Sequence, residues 1–343
     1  MNTTDDSTHD LVARIERGAS VPELAAAAAR IDDLVALWYR NGTPINRIAG
    51  EVSRLNTHLF SRLWELLAPV ELVDNSCLIV MGSEGRREQI LKTDQDNALL
   101  LRDGVDPAGA GEVAGRFSQA LSELGYPPCP GDIMLSNPVW RQPLAAFRDT
   151  LRDWLYSADP EGPSRLAIFL DAAPVAGDAE LLREARAYLD RIFADNDALL
   201  ARFAAPADQF DEDGSWWSRF TTRRDERALD LKKLGTFPIV HGVRTLALQH
   251  RVAAVGTAQR LDALVERGLL DKALARELVT ALHTLMALKL DHQLRQRQQG
   301  RPADNLLRPA ALESVQREQL KNALTTARGF RAFLRRHFKL DAL

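Results

Sequence analysis

The sequence predicts an α+β fold, in which a small mixed sheet with its helices lies between two helical segments. Short apolar runs at 78–81, 93–101 and 165–173 are typical of buried strands. On both sides of them, apolar residues recur at steps of three and four, as in amphipathic helices. The chain has 343 residues, which is enough for two or three domains. We divide it into a tail at 1–10, a helical lead-in at 11–74, a sheet domain at 75–178 and a helical C-terminal domain at 179–343.

The beginning of the chain is first polar and then helical. Residues 1–10 contain few apolar side chains, so we expect them to be disordered. Farther on, Leu55, Leu59 and Leu63 follow one another at four-residue steps, the spacing of one helix face. The turn sequence NGTP separates two of the helices. We expect these helices to pack on the sheet domain or to form a homodimer.

The most informative stretch of the sheet domain is the string CLIVMGSEGRREQILKTDQDNALLL. Residues 78–81 are predicted to form a buried strand, which ends at Gly82-Ser83. Residues 84–91 are predicted to form a short helix, and residues 93–101 a second strand. The stretch is therefore predicted to form a strand–turn–helix–strand unit.

This unit brings two chemical features together. Asp94 and Asp96 lie two residues apart on the second predicted strand, where their side chains would point to the same face. Two such carboxylates repel each other unless a divalent cation such as Mg²⁺, which prefers carboxylate and phosphate oxygens, compensates. Gly82 and Ser83 lie at a predicted helix N-terminus, where backbone N–H groups favour an anion. A phosphate site beside a metal site suits transfer of a nucleotidyl or phosphoryl group, although Asp-x-Asp alone is most often a solvated turn.

At these residues the chain resembles a known superfamily. Gly-Ser, a short helix and then Asp-x-Asp resembles the signature of the polymerase-β-like nucleotidyltransferases. The longer string GSEGRREQILKTDQDNALL resembles one branch, called domain of unknown function 294 (DUF294), which is often fused to CBS or cyclic-nucleotide-binding domains. That branch is similar in turn to the bacterial PII uridylyltransferase. The resemblance extends over about residues 40–340 and implies a polymerase-β-like sheet domain followed by a helical substrate-binding domain.

The resemblance implies roles for several residues of the string. Gly82 and Ser83 would hold the triphosphate of a nucleotide. Arg86 would contact the same group, because a planar guanidinium suits phosphate, whereas the alternative is a simple surface charge. Glu88 is expected to pair with a neighbouring arginine rather than to bind metal.

A third carboxylate is implied by the superfamily and would lie on a later strand. Asp171, on the predicted strand 165–173, would complete the metal site of Asp94 and Asp96 or act as general base on the acceptor hydroxyl. The family string there has an arginine where this chain has Ala173. Asp132 is the competing third carboxylate, in a more irregular segment.

The loop at 126–138 is rich in Pro, Gly and Asn, and a loop beside a phosphate site is often functional. The resemblance continues through this loop into NPVWR. Asn137, Trp140 and Arg141 are therefore candidates for shaping the nucleotide or acceptor pocket.

The helical C-terminal half offers one further candidate. Lys232 lies in a Leu-Asp-Leu-Lys string that resembles the second domain of the family, and it would contact phosphate across a cleft between the domains. The alternative is a solvated lysine at a helix end. Upstream of it, Trp216, Trp217 and Phe220 would either anchor the core or cover the active site.

Composition limits the class of protein. The formal net charge of −3 gives no basic field for nucleic acid, so nucleic-acid binding is not expected. Two cysteines are too few for a disulfide framework or a zinc cluster. No apolar run is long enough to span a membrane, and the N-terminus lacks the pattern of a signal peptide. We therefore expect a cytoplasmic protein without a membrane segment.

Taken with the resemblance, these observations predict a Mg²⁺-dependent nucleotidyltransferase in bacterial signalling. It would move a nucleoside monophosphate from a nucleoside triphosphate, ATP or UTP, to an acceptor hydroxyl. The resemblance implies that the acceptor is a protein. The alternative function is a nucleotide-binding regulatory module without catalytic activity, which the alanine at position 173 favours.

Overall fold

The computed structural model describes residues 3–156, 159, 161–194, 196–208 and 228–342. The chain divides into two compact units, Met1–Arg191 and Ile192–Leu343. Trp216, Trp217 and Phe220, for which we predicted an anchor or a cover, lie outside the described residues.

The first unit contains a four-stranded mixed sheet and nine described helices. The helices are α1 (Thr3–Arg17), α2 (Val21–Arg40), α3 (Ile45–Leu67), α4 (Val70–Asp74), α5 (Gly82–Gly85), α6 (Pro107–Glu123), α7 (Leu144–Tyr156), α8 (Gly162–Phe169) and α9 (Ala179–Ile192). The strands are β1 (Ser76–Val80), β2 (Asn97–Leu101), β3 (Arg141–Pro143) and β4 (Ala173–Gly177).

Helix α1 begins at Thr3, so the prediction that residues 1–10 are disordered is wrong for the described part of this stretch. The apolar side chains of Leu11 and Ile15 are buried, with 4% and 0% exposure, and Thr8 is buried as well. Contacts of α1 with α2 and α3 therefore stabilise a helix whose polar composition alone would not.

The sheet has the strand order β3-β2-β1-β4, with β2 and β1 as its two inner strands. Strand β1 runs antiparallel to β2 and to β4, whereas β2 and β3 are parallel. Every residue of β1 and β2 is buried, as their continuous apolar runs predict. Helices α3 and α6 contact each other over this core, where the rings of Trp64 and Phe117 meet edge to face at 5.4 Å.

The segment between β1 and β2 is less regular than the sequence predicts. The predicted helix at 84–91 is limited to α5, because Arg87 has a left-handed backbone with φ +59° and ends the turn. The predicted strand at 93–101 begins only at Asn97. The residues before it bond to a loop instead of a strand, since the Gln95 N–H donates to the carbonyl of Pro127.

The prediction of a strand at 165–173 is also wrong. Residues 162–169 form helix α8, and the strand β4 begins only at Ala173. A short apolar run such as RLAIF fits a strand and a buried helix equally well, and Pro163 in the first turn decides for a helix here.

The second unit is almost entirely helical in its described part. Its helices are α10 (Asp197–Ala204), α11 (Phe237–Gln249), α12 (Thr257–Glu266), α13 (Lys272–Gln298) and α14 (Ser314–His337), and two short strands, β5 (Leu229–Asp230) and β6 (Leu306–Leu307), pair antiparallel. Gly242 of α11 faces α14, and a Cβ there would lie 2.3 Å from Leu334, so glycine allows the two helices to approach closely. A membrane-spanning helix needs about 20 mainly apolar residues, and no helix in the described part of the chain meets this requirement.

Candidate functional site

The pairing of β1 with β2 places Gly82 next to Asp96. The strands are antiparallel, with Val80 opposite Asn97. The N–H of Met81 donates to the carbonyl of Asp96 at 2.8 Å, so the pairing continues beyond the strands. Gly82 has φ +57°, and a Cβ there would lie 2.7 Å from Asp96 Oδ2. Glycine is therefore required both by the backbone and by the neighbouring carboxylate.

Asp94 and Asp96 form a group of possible metal ligands with Cys129. Asp94 is exposed, Asp96 is half-buried and Cys129 is buried. Each offers one ligand atom, and these atoms all lie within 4.8 Å of one another. The predicted pair of carboxylates is therefore brought together, although the two aspartates precede β2 instead of lying on it. Cys129 was not predicted from the sequence, because only the folding of the loop after α6 brings the cysteine to the carboxylates.

The chemistry of this group fits a hard divalent cation. Burial, and to a smaller extent the charge of Asp96, raise the pKa of Cys129 to about 11. The thiol is therefore protonated near neutral pH in the metal-free chain, and sulfur is a soft ligand that a hard cation such as Mg²⁺ does not prefer. Two carboxylates remain as oxygen ligands, which is the donor set that Mg²⁺ combines with substrate phosphates.

Ser83 lies in the turn formed by α5. The carbonyl of Ser83 accepts the N–H groups of Glu88 and Gln89, at 2.9 and 3.1 Å, which closes the turn back on itself. The side chain of Ser83 is half-buried. Since α5 has only four residues, it offers backbone N–H groups more than a helix dipole to an anion.

Arg86 follows this turn and joins two carboxylates. Its Nε donates to Glu88 and its Nη1 to Asp171, both at 2.6 Å. The pairing of Glu88 with a neighbouring arginine is thus confirmed. Burial lowers the pKa of Arg86, but the two carboxylates more than offset this, so the pKa lies above its ordinary value. Arg86 is therefore held in place by protein contacts; its predicted contact with a triphosphate stays a prediction.

Asp171 lies between α8 and β4, not on a strand as predicted. Its side chain is fully buried, with 0% exposure. A Cβ at Gly85 would lie 1.9 Å from the carbonyl oxygen of Asp171, so the turn and this residue are packed backbone to backbone. In the described part of the chain, the ligand group around Asp94 does not include Asp171 or the exposed Asp132. The ligand and general-base roles of Asp171 stay predictions.

The loop after α6 is tied to the carboxylate segment. Asn97 Oδ1 accepts the N–H of Leu135 at 2.9 Å, and the Asn97 N–H donates to the carbonyl of Ile133. Gln95 Nε2 donates to the carbonyl of Tyr126 at 2.9 Å. These bonds fix the loop that contains Cys129 beside the carboxylates.

The other residues predicted to shape a pocket have structural contacts. Trp140 is buried against Trp154, with ring centroids 4.8 Å apart. Arg141 donates to the carbonyls of Leu135 and Ser136, at 2.6 and 2.9 Å. Asn137 accepts the N–H of Val139 at the start of a short 3₁₀ turn and donates to a loop carbonyl.

A small cavity of about 20 Å³ adjoins the two carboxylates. This volume is enough for one or two water molecules and not for a nucleobase. Its polar and apolar lining residues are Phe60, Leu78, Val80, Glu84, Gln89, Asp94, Gln95, Asp96, Asn97, Phe117, Leu121 and Tyr126. Burial raises the pKa of Glu84 to about 8, which keeps this carboxyl protonated and neutral at pH 7.

Two family models match the chain. The model described as "Putative nucleotidyltransferase DUF294" matches residues 29–161, which include the turn, both aspartates and Cys129. The model described as "Putative nucleotidyltransferase substrate binding domain" matches residues 197–338. The chain belongs to the DUF294 family. None of the curated proteins matches this DUF294 sequence, and Asp171 lies in the stretch between the two matched ranges.

Lys232 lies in the second matched domain of this DUF294 chain. It begins a π-helical stretch, Lys232–Thr236, that runs directly into α11. Its side chain is exposed, and its backbone N–H donates to Asp230 Oδ1 at 2.9 Å. An exposed lysine at a capped helix start is compatible with either predicted role, so its phosphate contact stays a prediction.

Proposed function

We propose that this DUF294 protein is a Mg²⁺-dependent nucleotidyltransferase, which moves a nucleoside monophosphate from ATP or UTP to an acceptor hydroxyl. The observation that supports this most strongly is the contact between the Gly82 turn and Asp96, with Asp94 beside it. Phosphate-binding N–H groups and metal-binding carboxylates then lie on one site. A purely structural domain gains little from clustered carboxylates, because they repel each other.

Each residue of the site has a proposed task. The N–H groups of the Gly82-Ser83 turn, together with the Ser83 hydroxyl, bind the triphosphate. Asp94 and Asp96 hold Mg²⁺, which when bound neutralises charge at the α-phosphate and the departing pyrophosphate. The acceptor oxygen forms a bond to the α-phosphorus as the bond from that phosphorus to the pyrophosphate oxygen breaks.

The hydroxyl proton needs an acceptor, for which Asp171 is our candidate. Its Oδ2 is paired with Arg86 and its side chain is fully buried, so proton transfer to Asp171 requires a rearrangement that brings the acceptor hydroxyl to this carboxylate. Arg86, the partner of Asp171 in this pair, is our candidate for a contact with the triphosphate. Lys232 of the second domain is the candidate for a further phosphate contact.

The acceptor and the location follow from the resemblance rather than from the geometry. We propose a protein side chain as acceptor, by likeness to the PII uridylyltransferase, and the helical second domain as the part that binds it. A net charge of −3 gives no basic field for nucleic acid as the acceptor. We place the protein in the cytoplasm, and a homodimer through the N-terminal helices remains our proposal for assembly.

A second candidate function is a nucleotide-binding regulatory module without transferase activity. It is favoured by the closed ion pair of Asp171 and by Ala173, which stands where the family string has arginine. The two candidates agree on the nucleotide site and differ in whether a phosphoryl bond is broken.

Titration calorimetry with ATP, UTP, GTP and CTP, each with and without Mg²⁺, tests the proposal. We expect Mg²⁺-dependent binding of one nucleotide, and at least about tenfold weaker binding by Asp94→Asn. Transfer of α-phosphate label from the bound nucleotide to protein would then separate the transferase from the regulatory module. Absence of binding for all four triphosphates would contradict both candidates.

A further inference from the structure

Asn56 of α3 joins two separate parts of the candidate site. Its side chain is almost fully buried, with 1% exposure. Its Nδ2 donates to Glu84 Oε2 at 3.0 Å, and its Oδ1 accepts a hydrogen bond from the Tyr126 hydroxyl at 2.8 Å. Glu84 and Tyr126 are 8% and 2% exposed. One amide of a helix outside the sheet therefore satisfies two buried polar groups.

Both partners of Asn56 are attached to residues that form the site. Glu84 directly follows the Gly82-Ser83 turn in helix α5. Tyr126 begins the loop that contains Cys129, and its carbonyl accepts from Gln95, between the two aspartates. A shift of Asn56 would therefore move the turn and the carboxylate segment together.

Helix α2 makes a similar contact with the carboxylate segment. Lys92, two residues before Asp94, pairs with Asp32 of α2 at 3.0 Å. The Lys92 ammonium also lies 5.7 Å from the ring centre of Tyr126, which is within cation–π range. The lysine side chain is only 10% exposed, so this pair is screened less than a surface ion pair.

These contacts differ from the ordinary packing of the lead-in helices. Buried polar groups that are fully satisfied specify one arrangement, because every alternative leaves a donor or acceptor unpaired at a cost. By contrast, the apolar side chains of α3 would tolerate small shifts of the turn. The two bonds of Asn56 and the ion pair of Lys92 reach the Gly82-Ser83 turn, the loop that contains Cys129 and the segment before the two aspartates.

We propose that Asn56 is a positioning residue for the nucleotide site, and that α2 and α3 are a working part of this site rather than a separate lead-in. The inference rests on the proposed function in one respect, namely that the positioned turn binds a triphosphate. Its geometric part concerns the turn alone and can be tested without any nucleotide.

Hydrogen exchange in Asn56→Leu tests the geometric part. Leucine keeps the branched shape and the number of side-chain heavy atoms, and it removes both hydrogen bonds. The backbone N–H groups of Gly85, Arg86 and Glu88 are bonded within the turn and report directly on its opening. We expect these amides to exchange roughly tenfold faster, while the amides of β1 keep their wild-type rates.

Arg62→Leu is the matched control for this experiment. Arg62 lies on the same helix, and its Nε donates to the carbonyl of Gly18, which is outside the site. It should leave exchange in the turn unchanged. Equal exchange of the turn in wild type, Asn56→Leu and the control would overturn the proposal, as would faster exchange of β1 to the same extent as the turn. If Asn56→Leu fails to fold, Tyr126→Phe removes one of the two bonds, and the same criteria apply.

Glu84 variants separate positioning from simple loss of packing. Glu84→Gln keeps an oxygen that accepts from Asn56 and should retain the wild-type exchange rates in the turn, whereas Glu84→Leu should match Asn56→Leu. Binding of Mg²⁺ with the nucleotide that the wild type prefers should weaken roughly tenfold in Asn56→Leu and stay unchanged in Arg62→Leu. If the wild type binds no nucleotide while the turn responds as described, the proposed function fails and the positioning role stands. If the wild type and Asn56→Leu bind a nucleotide equally and exchange in the turn is unchanged, the nucleotide site stands and the positioning role of Asn56 fails.

Discussion

The strands β1 and β2 and the segment between them are held in different ways. The strands pair through a regular backbone ladder, and all their side chains are buried. The residues from Glu84 to Gln95 have no such ladder and depend on individual side chains, among them Asn56 and Asp32 from the N-terminal helices. The candidate site is thus attached to a regularly paired sheet, while its own shape depends on single side-chain contacts. Substitution of one such contact should alter the site without unfolding the sheet.

The ion pair of Arg86 is the contact for which we expect the largest effect on stability. Arg86→Met would leave the fully buried Asp171 carboxylate without its cation, and breaking a buried pair costs about 3–5 kcal/mol. Urea denaturation measures this change. The control is Arg165→Met, because Arg165 pairs with the more exposed Asp159 and Glu161, and its loss should cost less than about 1 kcal/mol. A cost below about 1 kcal/mol for Arg86→Met as well would show that the pair does not stabilise the turn.

Gly82→Ala should affect the site more than the fold. A left-handed alanine costs about 1–2 kcal/mol, and its methyl group would displace the Asp96 carboxylate from the turn. Gly42→Ala is the matched control, since Gly42 has φ +73° and open space around it. Both variants should lose similar stability in thermal unfolding, and only Gly82→Ala should lose Mg²⁺-nucleotide affinity. Similar affinities in the two variants would place the nucleotide elsewhere.

Glu84 should make the stability of the protein depend on pH. Burial raises its pKa from 4.5 to about 8 in the folded chain. Below pH 4.5 the folded and unfolded chains are both protonated at this residue. Between pH 4.5 and about 8 only the folded chain keeps the proton. The free energy of unfolding should therefore fall as pH rises through this window, by up to about 5 kcal/mol. Glu84→Gln should not show this loss, and parallel pH profiles of the two proteins would contradict the buried neutral carboxyl.

The smallest effect is expected from Lys232→Ala. The side chain is exposed, so the free energy of unfolding should change by less than about 0.5 kcal/mol. If Lys232 contacts a phosphate, calorimetry will show several-fold weaker binding of the triphosphate. The control is Lys233→Ala, which removes the neighbouring lysine that is also exposed. Unchanged affinity for Lys232→Ala would show that Lys232 is a solvated lysine at a helix end.

The strand–turn–carboxylate unit is predictable from the sequence because its signals are local. A strand ended by Gly82-Ser83, with two aspartates at fixed spacing before the next apolar run, needs no distant contact to be recognised. Asp171 was placed on a strand because a short apolar run fits both structures, and the helix follows from its proline and its packing. Cys129 and Asn56 could not be assigned to the site, since long-range packing alone brings a cysteine or an asparagine to it.

We propose that Asp94 and Asp96 serve metal-dependent nucleotide binding and not the fold. The free energy of unfolding of wild type and of Asp94→Asn/Asp96→Asn, each with and without Mg²⁺, tests it most directly. Without Mg²⁺ the double variant should be as stable as the wild type or slightly more stable, because the repulsion is relieved, and Mg²⁺ should stabilise only the wild type. A double variant that unfolds, or equal stabilisation of both proteins by Mg²⁺, would contradict the claim.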